Sequence, residues 1–271
     1  MYNSIVGKQY HFLAGLHRSG NTVLSSILNQ NPDIYSSPLS PVAEYMWRCH
    51  TAKDYLEYER STQFPHRTKN LLSSMFDSYY ADVEKPIVLD RDKNWAHPAN
   101  INMIKECLDF KPKIIFTTRP IIEIMASFIA IDISTVIRWM NESPFKPNTA
   151  LPLNDNLCDY LVSETSQLSR AMLAFESIDN PENEGMIYVI KYEDLLNAPQ
   201  ETMDKIYDFL ETEKFKHNFT NIRKIEEYNE AAAGLPKDLH KVRRILGKSD
   251  VRVEDYLTAR SIEKYKDLRY F

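Results

Sequence analysis

Near its amino terminus the chain passes from a short apolar run, through a loop with two glycines, into an amphipathic segment. The apolar run covers residues 10–16, and the loop GLHRSGNT covers residues 15–22. In residues 22–29, apolar side chains recur at the spacing of one helical face: Val23, Leu24, Ile27 and Leu28. The passage predicts a buried β-strand that leads through a tight loop into an α-helix.

The same alternation continues along the chain. Further apolar runs at 87–89, 114–118 and 186–190 are typical of buried strands, and residues 203–210 show helical spacing. Strands separated by helices favour right-handed crossovers and a mainly parallel sheet. We therefore predict an α/β fold with three α/β/α layers. In such a sheet, ligands bind beyond the carboxyl ends of the strands.

The chain is long enough for one large domain or two small ones, with 271 residues of which 43% are hydrophobic and 26% charged. No repeat or charged linker divides it. The proline-bearing stretch 141–155 has the composition of a loop. We predict a single domain over residues 1–271 with a helical cap around 121–180.

Composition also limits the partners and the compartment. The formal net charge is −5, which does not favour a broad nucleic-acid surface. The apolar window 121–140 carries Glu123, Asp132 and Arg138, which argues for a buried helix over a membrane span. We see no signal peptide. Three widely spaced cysteines favour reduced thiols in the cytoplasm and no zinc site: Cys49, Cys107 and Cys158.

The loop nearly matches the spacing of a phosphate-binding loop, G-x-x-x-x-G-K-[S/T], at Gly15, Gly20 and Thr22. Asn21 stands where that pattern has lysine. Backbone N–H groups at the start of a helix can still hold an anion with help from the helix dipole, and Arg18 can supply positive charge. The alternative is a simple turn with an exposed arginine.

Three longer stretches resemble motifs of the sulfotransferase family. FLAGLHRSGNTVLSSILNQNPDI, residues 12–34, is similar to its 5′-phosphosulfate loop, with His17 in place of a proline and Asn21 in place of a threonine. IIFTTRPIIEIMASF, residues 114–128, is similar to its 3′-phosphate motif, in which a serine follows an arginine by eight positions, as Ser127 follows Arg119 here. YVIKYEDLLNAPQETMDKIYDFL, residues 188–210, resembles the family's strand, Tyr-Glu-Asp-Leu turn and following helix.

The resemblance implies a P-loop-type fold and the donor 3′-phosphoadenosine 5′-phosphosulfate (PAPS), with 3′-phosphoadenosine 5′-phosphate (PAP) as product and no metal. The basic stretch 236–252 corresponds to a late segment that covers the nucleotide, although a solvated amphipathic helix explains its charges as well. The implied donor contacts are Arg18, Ser19, Gly20, Asn21, Thr22, Val23, Arg119, Ser127, Tyr192, Lys241 and Arg243.

The resemblance also points to groups that act on the transferred sulfuryl. Glu44 is the candidate base, and the alternative is a helix-start role after Ser40 and Pro41. Arg18 would stabilise the leaving phosphate. In the cluster LDRDKNWAH, residues 89–97, Arg91 is the favoured cation with Lys93 as second choice. Four other residues of this cluster stay open. Asp90 and Asp92 complicate the assignment because they can form ion pairs with Arg91 and Lys93, which is the commoner role of such carboxylates. Trp95 and His97 either line an acceptor pocket or pack in the interior.

Two other classes of function stay open from the sequence. A kinase-like phosphotransferase would need a lysine at position 21 and a magnesium-holding aspartate after a second strand, for which Asp90 is a weak candidate. A non-catalytic protein could keep the nucleotide site without transfer. For a sulfotransferase, a carbohydrate or another small hydroxylated molecule is the favoured acceptor, and a peptide acceptor stays open. The sequence does not indicate an oligomeric state.

Overall fold

A computed structural model describes residues 7–52, 65–224 and 240–269 of the chain. Five parallel strands form one sheet in the order β2-β3-β1-β4-β5. Their bounds are β1 Gln9–Gly15, β2 Ile34–Ser36, β3 Ile87–Arg91, β4 Ile114–Thr118 and β5 Ile187–Lys191. Four of them confirm the predicted strands to within two residues, and β2 was not predicted because three residues are too few for a periodic pattern.

Helices cover both faces of the sheet, which confirms the predicted layers. The helices are α1 Asn21–Leu28, α2 Val42–Ala52, α3 Pro65–Tyr79, α4 Pro98–Cys107, α5 Ile121–Glu142, α6 Leu153–Leu161, α7 Gln167–Met172, α8 Ala174–Asp179, α9 Tyr192–Asn197, α10 Pro199–Leu210 and α11 Ala259–Tyr265. Helices α5 to α8 occupy the segment predicted as a helical cap. The loop predicted at 141–155 is shorter than expected, since helices extend into both of its ends. Across the three described ranges, no helix has the length and apolar character that crossing a membrane requires.

Alternating side chains of the strands build two apolar cores. On β1, Phe12 packs in the core that helices α2 to α8 share, while its neighbour Leu13 packs in the opposite core with α1 and α10. The same alternation occurs on β4 between Phe116 and Ile115. This period of two is what a parallel sheet buried on both faces requires.

The sequence left open whether Asp90, Trp95 and His97, at or after the end of β3, serve the site or the interior. Asp90 is fully buried and accepts hydrogen bonds from the Tyr80 hydroxyl at 2.5 Å and the Trp95 indole N–H at 2.7 Å, so it belongs to the core. Burial raises the pKa of its carboxyl to about 6. Trp95 also stacks on Phe12 with ring centroids 4.0 Å apart. His97 caps α4, since its Nδ1 accepts from the Ala99 N–H. These contacts are internal packing.

The carboxyl ends of the central strands lie side by side. In the register of the sheet, Gly15 is paired with Thr117, and Thr118 is paired with Lys191. The loops that follow β1, β3, β4 and β5 therefore leave the sheet at one edge. The loop 15–22, the cluster 89–97, the passage from Arg119 to Ser127 and the turn at Tyr192 are in or next to these loops, whereas Glu44 follows β2.

Candidate active site

The loop between β1 and α1 has an unusual backbone. Arg18 adopts a left-handed conformation with φ +59°, and Gly20 follows with φ +93°. At Gly15, an added Cβ would lie 2.3 Å from Thr117 Oγ1, so only glycine allows β1 to pass this close to β4. The Ser19 hydroxyl donates to the Leu16 carbonyl at 2.6 Å and thereby fixes the turn from inside. Strained, internally braced loops of this kind are concentrated at ligand sites.

The first turn of α1 faces this loop. The helix begins at Asn21, and the leading N–H groups of a helix have no partner within it. The Asn21 side chain donates to the Leu16 carbonyl at 3.2 Å, while its Oδ1 is buried without a hydrogen-bond partner. An anion held at this end would gain both from the N–H groups and from the helix dipole.

Arg18, Arg119 and Ser127 meet at one point. Arg18 Nε donates to Ser127 Oγ at 3.1 Å, and Arg119 Nη1 donates to the Arg18 carbonyl at 3.2 Å. Arg119 is further held by Glu123 at 2.8 Å and lies 5.1 Å above the centre of the Tyr192 ring. Motifs about a hundred residues apart in sequence thus form one cationic junction. The Arg18 side chain lies on the Ser127 side of it, so its predicted contact with a leaving phosphate stays a prediction.

Arg91 places a buried positive charge next to α1. Its side chain is 7% exposed, and Nη1 donates to Thr22 Oγ1 at 2.9 Å. Its Nε is buried without a hydrogen-bond partner, and in the described part of the chain no carboxylate forms an ion pair with it. Burial lowers the pKa of the guanidinium to about 10, which still leaves it charged at neutral pH. The neighbouring Asp92 carboxylate attracts this charge without pairing directly with it, so Arg91 keeps donors that are suited to bind an anionic group.

Lys93 and His17 form a pair that was not predicted. Lys93 Nζ lies 2.9 Å from His17 Nε2. Burial holds the pKa of the histidine well below its usual range, so the ring is neutral and accepts from the ammonium group. Burial also lowers the pKa of Lys93. The sequence showed His17 only as a departure from the family motif, and nothing in the spacing linked it to Lys93.

A segment near the carboxy terminus, residues 240–251, covers the site. The Ile222 N–H donates to the Arg244 carbonyl, and the Leu246 N–H donates to the Phe219 carbonyl, which ties this segment to residues 219–222. Arg243 pairs with Asp250 at 2.9 Å. Residues 236–239 of the basic stretch lie outside the described residues.

These elements enclose a cavity of about 460 Å³. Among the described residues that line it, six are Lys or Arg and none is Asp or Glu. Of the predicted site residues, the structure brings these to the cavity: Arg18, Gly20, Asn21, Thr22, Val23, Arg91, Arg119, Ser127, Tyr192, Lys241 and Arg243. Ser19 lies behind the loop, with its hydroxyl bonded to Leu16 and Thr117. The cavity is strongly cationic and is suited to an anion with several charges.

Glu44 lies in the first turn of α2 and does not line this cavity. Its carboxylate is 54% exposed and accepts from Arg48 Nε. Ser40 Oγ accepts from the Val42 N–H, which confirms the predicted helix start. The negative charge of Glu44 contributes to the raised pKa of Asp92, although burial of Asp92 is the larger cause. Glu44 is therefore close to the Arg91–Lys93 turn, and its catalytic role stays a prediction.

A kinase-like site would need a lysine at position 21 and an aspartate free to hold magnesium, and neither Asn21 nor Asp90 meets this need. Asn21 uses its side chain to brace the loop, and Asp90 uses both carboxylate oxygens in the core. In the ranges that the structure covers, no group of three or more His, Cys, Asp or Glu side chains is arranged to hold a metal ion.

Comparison with known proteins agrees with this geometry. A profile described as the sulfotransferase family matches residues 11–217. Among solved structures, the sulfotransferase domain of the curacin biosynthetic pathway is 13% identical with a TM-score of 0.59, over 95% of this chain and 98% of that one. Mouse sulfotransferase SULT7A1, solved in complex with PAP, is 15% identical with a TM-score of 0.51, over 96% and 82% of the two chains. No curated protein matches the sequence.

Proposed function

The chain belongs to the sulfotransferase family, and on that basis we propose that it transfers the sulfuryl group of PAPS to an acceptor hydroxyl and releases PAP. The observation that carries this proposal is the junction of Arg18, Arg119 and Ser127 beside the start of α1. It places a cationic cluster next to a helix N-terminus that is itself suited to a second anionic group. A nucleotide with separate 3′ and 5′ anionic groups needs two such neighbouring sites.

The residues of the cavity fit this donor. Arg119 and Ser127 offer donors for a 3′-phosphate, while the α1 N–H groups and Arg91 offer them for the 5′ group. The unpartnered Arg91 Nε is a buried donor that an anion would satisfy. When bound, PAPS supplies an activated sulfuryl group and a phosphate leaving group. The protein orients the acceptor in line with that bond and stabilises the charge that develops on the departing phosphate.

We expect the purified, metal-free protein to bind PAP in about the micromolar range and much more tightly than ADP or ATP with magnesium. Isothermal titration calorimetry measures all three. In the same experiment, Arg119→Ala should weaken PAP binding by about a hundredfold or more, because charge-assisted hydrogen bonds to the 3′-phosphate are lost. The affinity for 5′-AMP, which lacks that phosphate, should change little.

The outcomes of this titration separate the candidate functions. Tighter binding of ATP with magnesium would revive the kinase-like phosphotransferase. Equal losses for PAP and 5′-AMP in Arg119→Ala would remove Arg119 from the 3′-phosphate site. PAP binding without transfer to any acceptor would favour a non-catalytic nucleotide-binding protein.

The base of the reaction is proposed to be Glu44. Among the carboxylates near the Arg91–Lys93 turn, Asp90 is held in the core by two hydrogen bonds, and Asp92 accepts from the Asn94 N–H at 2.7 Å. Among the residues that the structure describes, the side-chain partner of Glu44 is Arg48, which is 75% exposed. An exposed ion pair contributes about 0–1 kcal/mol, so Glu44 can leave it at low cost when an acceptor binds.

Glu44→Gln should lower turnover by about a hundredfold or more while PAP affinity is unchanged, because only the proton transfer from the acceptor is lost. Initial rates with radiolabelled PAPS measure it on whichever acceptor the wild type uses. Glu142→Gln, at the exposed end of α5, is the control and should retain full activity. Wild-type turnover in Glu44→Gln, with a large loss in Asp92→Asn, would transfer the role of base to Asp92.

A further inference from the structure

One wall of the cavity consists of apolar side chains. The His17 and Phe128 ring centroids are 5.7 Å apart, and Phe128 and Trp139 are 6.1 Å apart in an edge-to-face contact. Ile131 and Leu39 are further apolar residues at this cavity, and all five side chains line it. We call Leu39, Phe128, Ile131 and Trp139 the apolar wall. The donor contacts discussed above do not use these residues.

The shape of α5 brings part of the apolar wall to the cavity. The helix is interrupted at Asp132, where φ is −162° and ψ is 91°. The Asp132 carboxylate accepts from the Ser134 N–H at 3.0 Å and from the Thr135 hydroxyl at 2.7 Å, so it caps the second half of the helix. Ile131 lines the cavity before this break and Trp139 after it. The neighbouring Ile133 is exposed and does not line it.

The apolar wall has a polar inner end and an exposed outer end. At the inner end, Lys93 donates to His17, whose ring contacts Phe128. At the outer end, Leu39 is 36% exposed, and Ile245 on the covering segment is 62% exposed. Exposed large apolar side chains that line a cavity commonly mark a ligand surface. Cationic groups at the inner end and apolar groups at the mouth would orient an amphiphilic molecule with its hydroxyl inward.

Resting on the function proposed above, we propose that the acceptor is an uncharged alcohol or phenol with an apolar body, and that this body lies on the apolar wall. The wall offers little to a sugar, whose several hydroxyls each need a hydrogen-bond partner when buried. Among the described lining residues outside the donor contacts, the polar side chains are His17, Lys93, Gln167, His240 and Ser249, and the last two are on the covering segment 240–251. The proposal narrows the small hydroxylated acceptor expected from the sequence to its apolar members, in preference to carbohydrates.

The test compares two apolar acceptors, 1-octanol and 2-naphthol, with two sugars, glucose and N-acetylglucosamine. Transfer from radiolabelled PAPS should give a kcat/KM at least about a hundredfold higher for one or both apolar acceptors, because several buried methylene or ring carbons each add to binding. Comparison of 1-octanol with 2-naphthol shows whether the apolar wall prefers an aliphatic or an aromatic acceptor. As a readout independent of turnover, 2-naphthol or 1-octanol is titrated calorimetrically into protein saturated with PAP.

Variants then connect the preference to the wall. Trp139→Ala should lower kcat/KM for the apolar acceptor, and its binding to the PAP complex, by about tenfold or more, with PAP affinity unchanged. Ile131→Ser and Ile133→Ser form a matched pair two positions apart, of which only the first should weaken acceptor binding.

The inference and the proposed function fail in different ways. Sugars used as well as the apolar acceptors, or equal effects of Ile131→Ser and Ile133→Ser, would overturn the apolar acceptor while PAP binding keeps the sulfotransferase proposal intact. Transfer to neither class by protein that binds PAP would also overturn it. Loss of PAP binding in the wild type would remove both proposals together.

Discussion

Replacing Arg91 with methionine should lower the rate of sulfuryl transfer by about a hundred- to a thousandfold, the usual effect of removing one donor that stabilises developing charge. The guanidinium is buried beside Thr22, has an Nε without a partner and forms no ion pair within the described residues. Burial of a charge destabilises a fold, and burial is also what lowers the pKa of Arg91, although the nearby Asp92 carboxylate offsets part of this cost. A role of the Arg91 charge in the reaction would explain why the chain has this charge at a buried position.

The measurement has two parts. The slow hydrolysis of PAPS, in which water takes the sulfuryl group and sulfate and PAP are released, reports the chemical step without an acceptor, and thermal unfolding reports stability. Because methionine keeps an unbranched apolar stem and carries no charge, the free energy of unfolding should equal or exceed that of the wild type at pH 7. Arg252→Met is the control, since Arg252 is 74% exposed and pairs with Asp255 away from the cavity. Unchanged hydrolysis in Arg91→Met would contradict the assignment.

Gly20→Ala should nearly abolish binding of the donor nucleotide. An added Cβ would lie 2.6 Å from Tyr192 Cδ2 and 2.9 Å from Tyr192 Cε2. The backbone at φ +93° is also unfavourable for alanine. Relief of the clash must displace either the Tyr192 ring, which lies against Arg119, or the start of α1. Both are parts of the proposed nucleotide site.

We expect PAP affinity in Gly20→Ala to fall by about a hundredfold and stability by about 1–3 kcal/mol, the usual cost of one strained backbone position. Calorimetry and chemical denaturation measure the two effects. Gly247→Ala is the matched control, because Gly247 also lines the cavity but an added Cβ there meets nothing within 4 Å. Its PAP affinity should be close to that of the wild type. If Gly20→Ala and Gly247→Ala bound PAP equally well, the prediction would be wrong, because the loop would then accommodate a side chain at Gly20.

The local parts of the fold follow from local patterns. Four strands and the helices α1, α5 and α10 are encoded by apolar runs and helical spacing, and each of these signals lies within about ten to twenty residues. The eight-residue spacing between Arg119 and Ser127 is also a local signal, because both residues lie in one strand-to-helix passage. β2 escaped prediction because its three residues carry no period.

The composition of the site depends on contacts between distant segments. Lys93 meets His17 across 76 residues, and Arg18 meets Ser127 across 109. No spacing rule connects such residues, since only the strand order brings β1, β3 and β4 together. The interpretations of Asp90, Trp95 and His97 were undecided for the same reason. Burial and partners distinguish packing from function, and neither is visible in a single sequence.

The sequence by itself determined the α/β alternation, the anion-binding character of the first loop and the resemblance that led to the sulfotransferase family. Each rests on residues close together in the chain, where backbone preference and side-chain periodicity act directly. Only the tertiary structure decided that Arg91 is a buried cation with no ion pair among the described residues, that Glu44 does not line the cavity, and that the apolar wall lines the same cavity as the cationic junction. Those properties arise when the sheet brings separate loops to one edge, because burial, pKa and hydrogen bonding depend on neighbours in space.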